Sequence, residues 1–155
     1  MVYLIRHADA GSKAEWDGPD QARPLSEAGR RQAAGLVARL RHYPVRRILS
    51  SPADRCRQTV QPLAGLLGLP VEDTDALAVD ATADDVLGLL ADPALRHAVL
   101  CTHGELIGQV FDRLLADGLA LPGGPRWPKG SAWVLDRHGG DRVAAASYLE
   151  PLVPH

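Results

Sequence analysis

Short apolar runs alternate along this chain with longer stretches whose apolar residues recur at helical spacing. VYLI (2–5) is a run of the kind that a buried parallel strand shows. Ala8 to Pro24 is polar and holds Gly11, Gly18 and Pro19, so it reads as a loop. Ser26 is a plausible N-cap for a helix on which Ala33, Leu36, Val37 and Leu40 share a face, closed by Pro44. RRILSS (46–51) predicts a second strand. ADRCRQTVQPLAGLLG (53–68) predicts a second helix with Val60, Leu63, Ala64 and Leu67 on one side. Pro62 falls inside it and predicts a kink or a fresh start, because proline lacks the N–H and crowds the preceding turn.

Leu69–Glu72 fits a short third strand, and Thr82 caps a helix with acidic residues in its first turn, where the helix dipole favours them. HAVLCTHG (97–104) is a fourth strand with its exit. ELIGQVFDRLLADG (105–118) is an amphipathic helix on Leu106, Ile107, Val110 and Leu114. A Pro/Gly-rich loop (119–130) leads into SAWVLDR and VAAASYLE, two strands around a hairpin-like turn at 138–141, and the last five residues are expected to fray. Strands alternating with helices predict an α/β fold, a three-layer sandwich with a mainly parallel central sheet and helices on both faces. No internal repeat or linker divides the chain, so residues 1–155 are expected to form a single domain.

Composition narrows the classes. At 155 residues and 46% hydrophobic, the chain can bury a core without disulfides or metal staples. Seventeen basic against nineteen acidic side chains give a net charge of −2, which argues against a nucleic-acid polymer as partner. Cys56 and Cys101 match no zinc spacing and suit a reducing compartment. Arg6 interrupts the first apolar run at once, and no stretch reaches the ~20 residues of a membrane span. A soluble cytoplasmic protein without a membrane partner is expected.

Ligands of open α/β sheets bind beyond the carboxyl ends of the strands. The residues at the exits of the predicted strands are therefore informative. They are Arg6-His7 after the first, Ser50-Ser51-Pro52 and Arg55 after the second, and Thr102-His103-Gly104 after the fourth. Two arginines would clamp a dianionic phosphoryl group with planar, permanently charged donors. A neutral imidazole could attack phosphorus in line, and the neighbouring cations would help keep it unprotonated. A second histidine could donate to an equatorial oxygen as charge builds. No metal or other cofactor is required. Cysteine-phosphatase chemistry would need an arginine six residues after the cysteine. Cys101 has Ile107 there and Cys56 has Pro62. His7 and Asp9 make only a fragment of a metal-binding cluster. His42, His97, His138 and His155 read as surface or structural.

These residues resemble the histidine phosphatase superfamily, the phosphoglycerate mutase-like fold. Leu4-Ile5-Arg6-His7-Ala8 is similar to its Arg-His-Gly signature, and Ser50 through Thr59 to its SSPxxRxxQT segment. Cys101-Thr102-His103-Gly104 is similar to its second-histidine segment. Arg23-Pro24-Leu25-Ser26, Gly29 and Gln32-Ala33 resemble the RPLtxxGxxQA segment of the short SixA-like branch. The resemblance runs in order from about residue 2 to residue 110. It implies His7 as nucleophile, Arg6 and Arg55 as phosphate ligands, and His103 as the group that stabilises the transferring phosphoryl.

Two departures matter. Ala8 replaces the signature glycine, which is of consequence only if the backbone there needs a positive φ. No proton donor is evident; Glu105, Asp80, Asp84, Asp85 and Asp9 are candidates, with Glu105 placed first, although helix-start electrostatics equally explain Asp84, Asp85 and Glu105. A leaving alkoxide needs a proton from the enzyme, whereas a leaving imidazole or phosphate needs less help. The expected substrate is therefore phosphohistidine on a protein, or another phosphate ester or anhydride. Alternatives are a nucleotide or small-metabolite phosphatase, a mutase, and a phosphate-binding domain without turnover. SixA-like domains also follow Nudix domains in proteins acting on nucleotides, and no Nudix segment is present here. The loops 11–22 and 119–130 are the candidate rim, with Trp16, Arg126, Trp127 and Lys129 either lining it or covering the sheet edge.

Overall fold

The computed structural model describes residues 1–137 and 142–152. The expected turn at 138–141 and His155 lie outside them. In chain order the elements are β1 (Val2–Arg6), α1 (Glu27–Leu40), β2 (Arg47–Ser50), α2 (Asp54–Leu67), β3 (Val71–Asp73), α3 (Ala83–Ala91), β4 (Ala98–Thr102), α4 (Gly104–Ala116), β5 (Ala132–Asp136) and β6 (Ala145–Leu149). They form one six-stranded sheet in the order β3-β2-β4-β1-β5-β6. The pairs β2–β3, β2–β4 and β1–β4 are parallel, while β1–β5 and β5–β6 are antiparallel. The sheet is thus mostly parallel, with an antiparallel edge.

Alternate residues of each strand feed two cores. Val2, Leu4, Leu49 and Leu100 pack with Val86, Leu90, Ile107, Val110 and Phe111, which places α3 and α4 on one face. Tyr3, Ile5, Ile48 and Val99 pack with Leu36, Leu40, Val60 and Leu63, which places α1 and α2 on the other. All five residues of β4 are buried because helices cover both faces and strands flank both sides. Leu100→Ala should therefore cost about 2–5 kcal/mol, read as a lowered urea midpoint at unchanged slope.

The helix ends follow the sequence signals. Ser26 Oγ accepts from the Gly29 N–H at 3.0 Å, and Thr82 with Asp85 forms a reciprocal capping box at the start of α3. Gly68, at φ 67°, closes α2 in the left-handed conformation. Pro62 neither ends nor restarts α2, which is continuous from Asp54 to Leu67. The ring is solvent-exposed, and Val60, Leu63 and Ala64 around it are anchored in the core.

Register and connectivity together make the site. Arg6 lies beside Thr102, and the His7 N–H donates to the Thr102 carbonyl at 3.0 Å, so His7 and His103 leave the sheet at one level. From β1 the chain departs to the α1 face, and from the adjacent β4 to the α4 face. This divergence opens a crevice between the strand ends, the topological switch point of an open α/β sheet.

Candidate active site

His7 is buried, and its Nδ1 lies 2.8 Å from the Ala8 carbonyl oxygen. A carbonyl only accepts, so Nδ1 carries the proton and Nε2 keeps its lone pair. Burial lowers the pKa of His7 to about 3; the bond to Ala8 opposes this, and His103, Arg55 and Arg6 reinforce it. The ring is therefore neutral at every ordinary pH. The His103 ring stands 5.5 Å away, edge-on at 65°. Ala8 is not among the positive-φ residues, so it replaces glycine without strain.

His103 caps α4 at its N-terminus. Its Nε2 lies 2.8 Å from Ser51 Oγ, and its Nδ1 lies 3.4 Å from Arg55 Nη2. Arg55, in the first turn of α2, is almost wholly buried. It donates from Nη1 to the Asp20 carbonyl at 2.9 Å and from Nη2 to Asp20 Oδ2 at 3.0 Å. Asp20 also receives Arg23 Nε at 3.2 Å. Burial raises the Asp20 carboxyl, but Arg55 and Arg23 outweigh it and hold the group below the usual carboxylate range.

Arg6 donates from Nη1 to the Trp127 carbonyl at 3.0 Å. Its guanidinium rests against Gly104, where a β-carbon would come within 2.7 Å of Cζ. Glycine at 104 makes room for the arginine rather than for a backbone turn. Gly104→Ala should therefore displace Arg6 while the fold holds: kcat/KM on an aryl phosphate falls on the order of 10²-fold and the melting temperature stays close to wild type. An unchanged kcat/KM would count against this reading of Gly104. Arg6 and Arg55 each keep a buried Nε–H with no partner among the described residues. The N-termini of α2 and α4, where dipoles favour anions, begin at the same place.

The structure thus brings His7, His103, Arg6 and Arg55 together. Of the carboxyl candidates, Glu105 is exposed in the first turn of α4. Asp84 pairs with Arg113 at 2.9 Å, and Asp85 is spent in the capping box. Asp9 accepts from Ser26 Oγ at 2.6 Å and from Lys129 Nζ at 3.2 Å, bonds that hold it below the usual carboxylate range and make it a loop anchor. Asp80 lines a cavity of about 300 Å³ beside Arg55, together with Asp20, Gln21, Ser51 and Val79.

The two loops behave differently from a simple rim. Arg126 stacks over Tyr148, its Cζ 3.8 Å from the ring centroid, and so sits on the β5–β6 edge away from the site. Trp127 packs against Phe111, and Lys129 is tied to Asp9. Trp16 is half-exposed and donates to the Pro19 carbonyl at 2.8 Å. The Gly130 N–H, at φ 81°, is shared between the Arg6 and His7 carbonyls at 3.2 Å each. The 119–130 loop therefore holds the tip of β1 from the side opposite β4. His42 is exposed after α1, and His97 shapes the turn into β4 at φ 63°.

Sequence reasoning assigns no role to several residues that build the site. Thr59 accepts the Ala8 N–H at 2.9 Å and donates to the Arg55 carbonyl at 2.6 Å, joining the loop after β1 to the first turn of α2. Gln32 accepts the Asp9 N–H, and Gln58 the Leu25 N–H. Asp20 and Ser51 are likewise silent. A threonine on the apolar face of α2 is the one readable signal. Cys56 and Cys101, far apart in sequence, are buried in one core, with Cys56 Sγ 3.7 Å from His103 Nε2. Among the described residues no three metal-ligating side chains converge, and no helix is long and apolar enough to cross a membrane.

Comparison with known proteins gives this arrangement its family. A candidate phosphohistidine phosphatase, SixA from Agrobacterium tumefaciens, superposes with a TM-score of 0.70 at 31% identity, over 99% of this chain and 97% of its own. A SixA structure of the same description from Nakamurella multipartitia gives 0.70 at 27% identity, over 98% and 96%. The 8-oxo-(d)GTP phosphatase of Mycolicibacterium smegmatis is 32% identical over 157 residues, covering 97% of this chain. This chain spans about half, 48%, of that relative's length. The family model of the histidine phosphatase superfamily (branch 1) matches residues 2–81. The chain belongs to the histidine phosphatase superfamily, branch 1, with SixA-like proteins among its structural neighbours.

Proposed function

We propose that residues 1–155 form one phosphatase domain that works through a phosphohistidine at His7, without a metal, on phosphohistidine carried by a protein. The observation that carries this is the state of His7: buried, neutral, its Nδ1 proton committed to the Ala8 carbonyl, its Nε2 therefore bare, and the Arg55 and Arg6 charges acting on the ring.

In this reading the unpartnered Nε–H donors of Arg6 and Arg55 take phosphoryl oxygens, and their positive charges orient the dianion. Nε2 of His7 forms a bond to phosphorus as the bond to the leaving group breaks in line. The leaving group keeps the electron pair. His103 donates to an equatorial oxygen as charge accumulates. Water then attacks the phosphohistidine, inorganic phosphate departs, and His7 recovers its lone pair. Asp80 on the cavity wall and Glu105 at the head of α4 are the carboxyls available to the leaving group. A leaving imidazole demands the least from either.

The substrate reading rests further on the SixA neighbour, which at 31% identity matches nearly end to end. A nucleotide substrate is the second reading, favoured by the 8-oxo-(d)GTP phosphatase relative.

The test compares phosphate release from a phosphohistidine peptide, a nucleoside triphosphate and an aryl phosphate, with chelator throughout. The peptide should be turned over with the highest kcat/KM and no loss on chelation. A higher kcat/KM on the nucleotide would shift the reading to the second substrate. Loss of all turnover on chelation would overturn the metal-free mechanism.

A further inference from the structure

Ser51 has no part in the chemistry above, yet it makes the shortest contact with the second histidine. Ser51 Oγ lies 2.8 Å from His103 Nε2 and 3.2 Å from the Ala53 backbone N. Both residues are buried, so neither contact is exchanged for water. The Ala53 N–H can only donate, which occupies a lone pair of Ser51 and leaves the hydroxyl proton free to point at Nε2. On the other side of the ring Arg55 Nη2, which only donates, stands 3.4 Å from Nδ1 while also donating to Asp20, a contact that by itself favours a bare Nδ1.

These contacts allow two proton arrangements. With the proton on Nε2, His103 donates to Ser51 and accepts from Arg55, so nothing is left to donate into the pocket. With the proton on Nδ1, Ser51 donates to Nε2 and the ring N–H faces the Arg55 N–H, two donors 3.4 Å apart that oppose each other until a phosphoryl oxygen accepts from both. Only the second arrangement serves the proposed function, on which this inference rests. We propose that Ser51 is the positioning residue that holds the His103 proton on Nδ1, through the donor chain Ala53 N–H to Ser51 Oγ and Ser51 O–H to His103 Nε2. The other group at that nitrogen, Cys56 Sγ at 3.7 Å, cannot replace it as a donor: burial opposes ionisation, but the Cys101 and His103 contacts outweigh it and hold the group below the usual thiol range. The two histidines of the site are then set in the same tautomer by different acceptors and donors. His7 is held by a carbonyl that takes its Nδ1 proton, and His103 by a hydroxyl that supplies its Nε2.

The experiment uses ¹⁵N-histidine-labelled protein with saturating inorganic vanadate, alongside steady-state kinetics on an aryl phosphate. Wild type should show His103 protonated at Nδ1 and bare at Nε2. Ser51→Ala should shift that pattern toward the Nε2-protonated form and lower kcat about 10–100-fold with little change in KM. Ser51→Thr keeps the hydroxyl and should restore both. Should the added methyl prevent folding, Ser51→Cys, with its weaker donor, should fall between alanine and wild type. An unchanged His103 pattern in Ser51→Ala, or a kcat within twofold of wild type, overturns the proposal while leaving a working phosphatase. A wild type that binds vanadate with the Nδ1 proton in place but releases no phosphate from any substrate overturns the proposed function instead.

Discussion

Replacing His7 with alanine lowers kcat/KM on any accepted phosphate substrate by ~10⁴-fold or more, while phosphate binding persists. The expectation rests on what each group contributes. Arg6, Arg55 and His103 remain to hold the anion, each fixed by partners other than His7: the Trp127 carbonyl, Asp20 and Ser51. The variant loses the His7 Nε2 lone pair, which the bond from Nδ1 to the Ala8 carbonyl leaves bare. Rapid base quench of the wild type during turnover should recover protein-bound phosphate that is stable in base and released on acidification, and the variant should yield none. Phosphate released by His7→Ala at the wild-type rate would exclude His7 as the nucleophile, and with it the proposed phosphoenzyme.

A second large effect concerns stability rather than rate. The unfolded chain protonates His7 near pH 6.5, whereas the folded chain resists protonation down to about pH 3. Between those values the unfolded state binds one more proton, so stability must fall as pH falls. The contribution is zero above about pH 6.5 and grows by ~1.4 kcal/mol for each pH unit below it. His7→Asn, which keeps a similar volume and cannot titrate, should flatten the stability curve between pH 4.5 and 6.5 by that slope. Urea denaturation of the two proteins across this range measures it. His97, also lowered by burial, pulls the same way in both proteins and cancels in the difference. Asp9 and Asp20 are held below the usual carboxylate range, so the stability they lend is present above about pH 4 and is lost only at lower pH. Parallel slopes in the two proteins would mean that His7 charges freely in the folded state.

The same two histidines show how much can be read from the chain alone. Arg6-His7 and Thr102-His103 are visible because each comes after an apolar run, and the parallel pairing of β1 with β4 needs only a one-residue extension to set them level. The helix starts at Ser26 and Thr82 are legible for a similar reason: a cap acts on backbone three residues away. Pro62 misleads because its local cost is overcome by packing at Val60, Leu63 and Ala64, which no local signal reports. Asp20 and Ser51 stay hidden because they act across 35 and 52 residues of chain, through contacts that periodicity does not encode. The placement of β5 antiparallel against β1 is hidden too, since either edge of the parallel sheet would have satisfied the alternation of strands and helices. Among the acids, nearness in sequence to His103 favours Glu105. Asp80, in the connection between β3 and α3, lines the cavity beside Arg55 together with Asp20, a placement that nearness in sequence does not report.

The Pro/Gly-rich segment between α4 and β5 tolerates change unevenly along its length. Its last residues, Trp127 to Gly130, hold Arg6 and His7 in place through main-chain atoms. A few residues before them, Gly123 and Gly124 make an outlying turn, with φ 79° and 87°, that touches neither. Length can therefore be added at one end of the segment without altering the chemistry anchored by the other. One segment thus joins a stretch free to vary in length, tied to Arg126 on the β5–β6 edge, to a stretch whose main-chain contacts are spoken for.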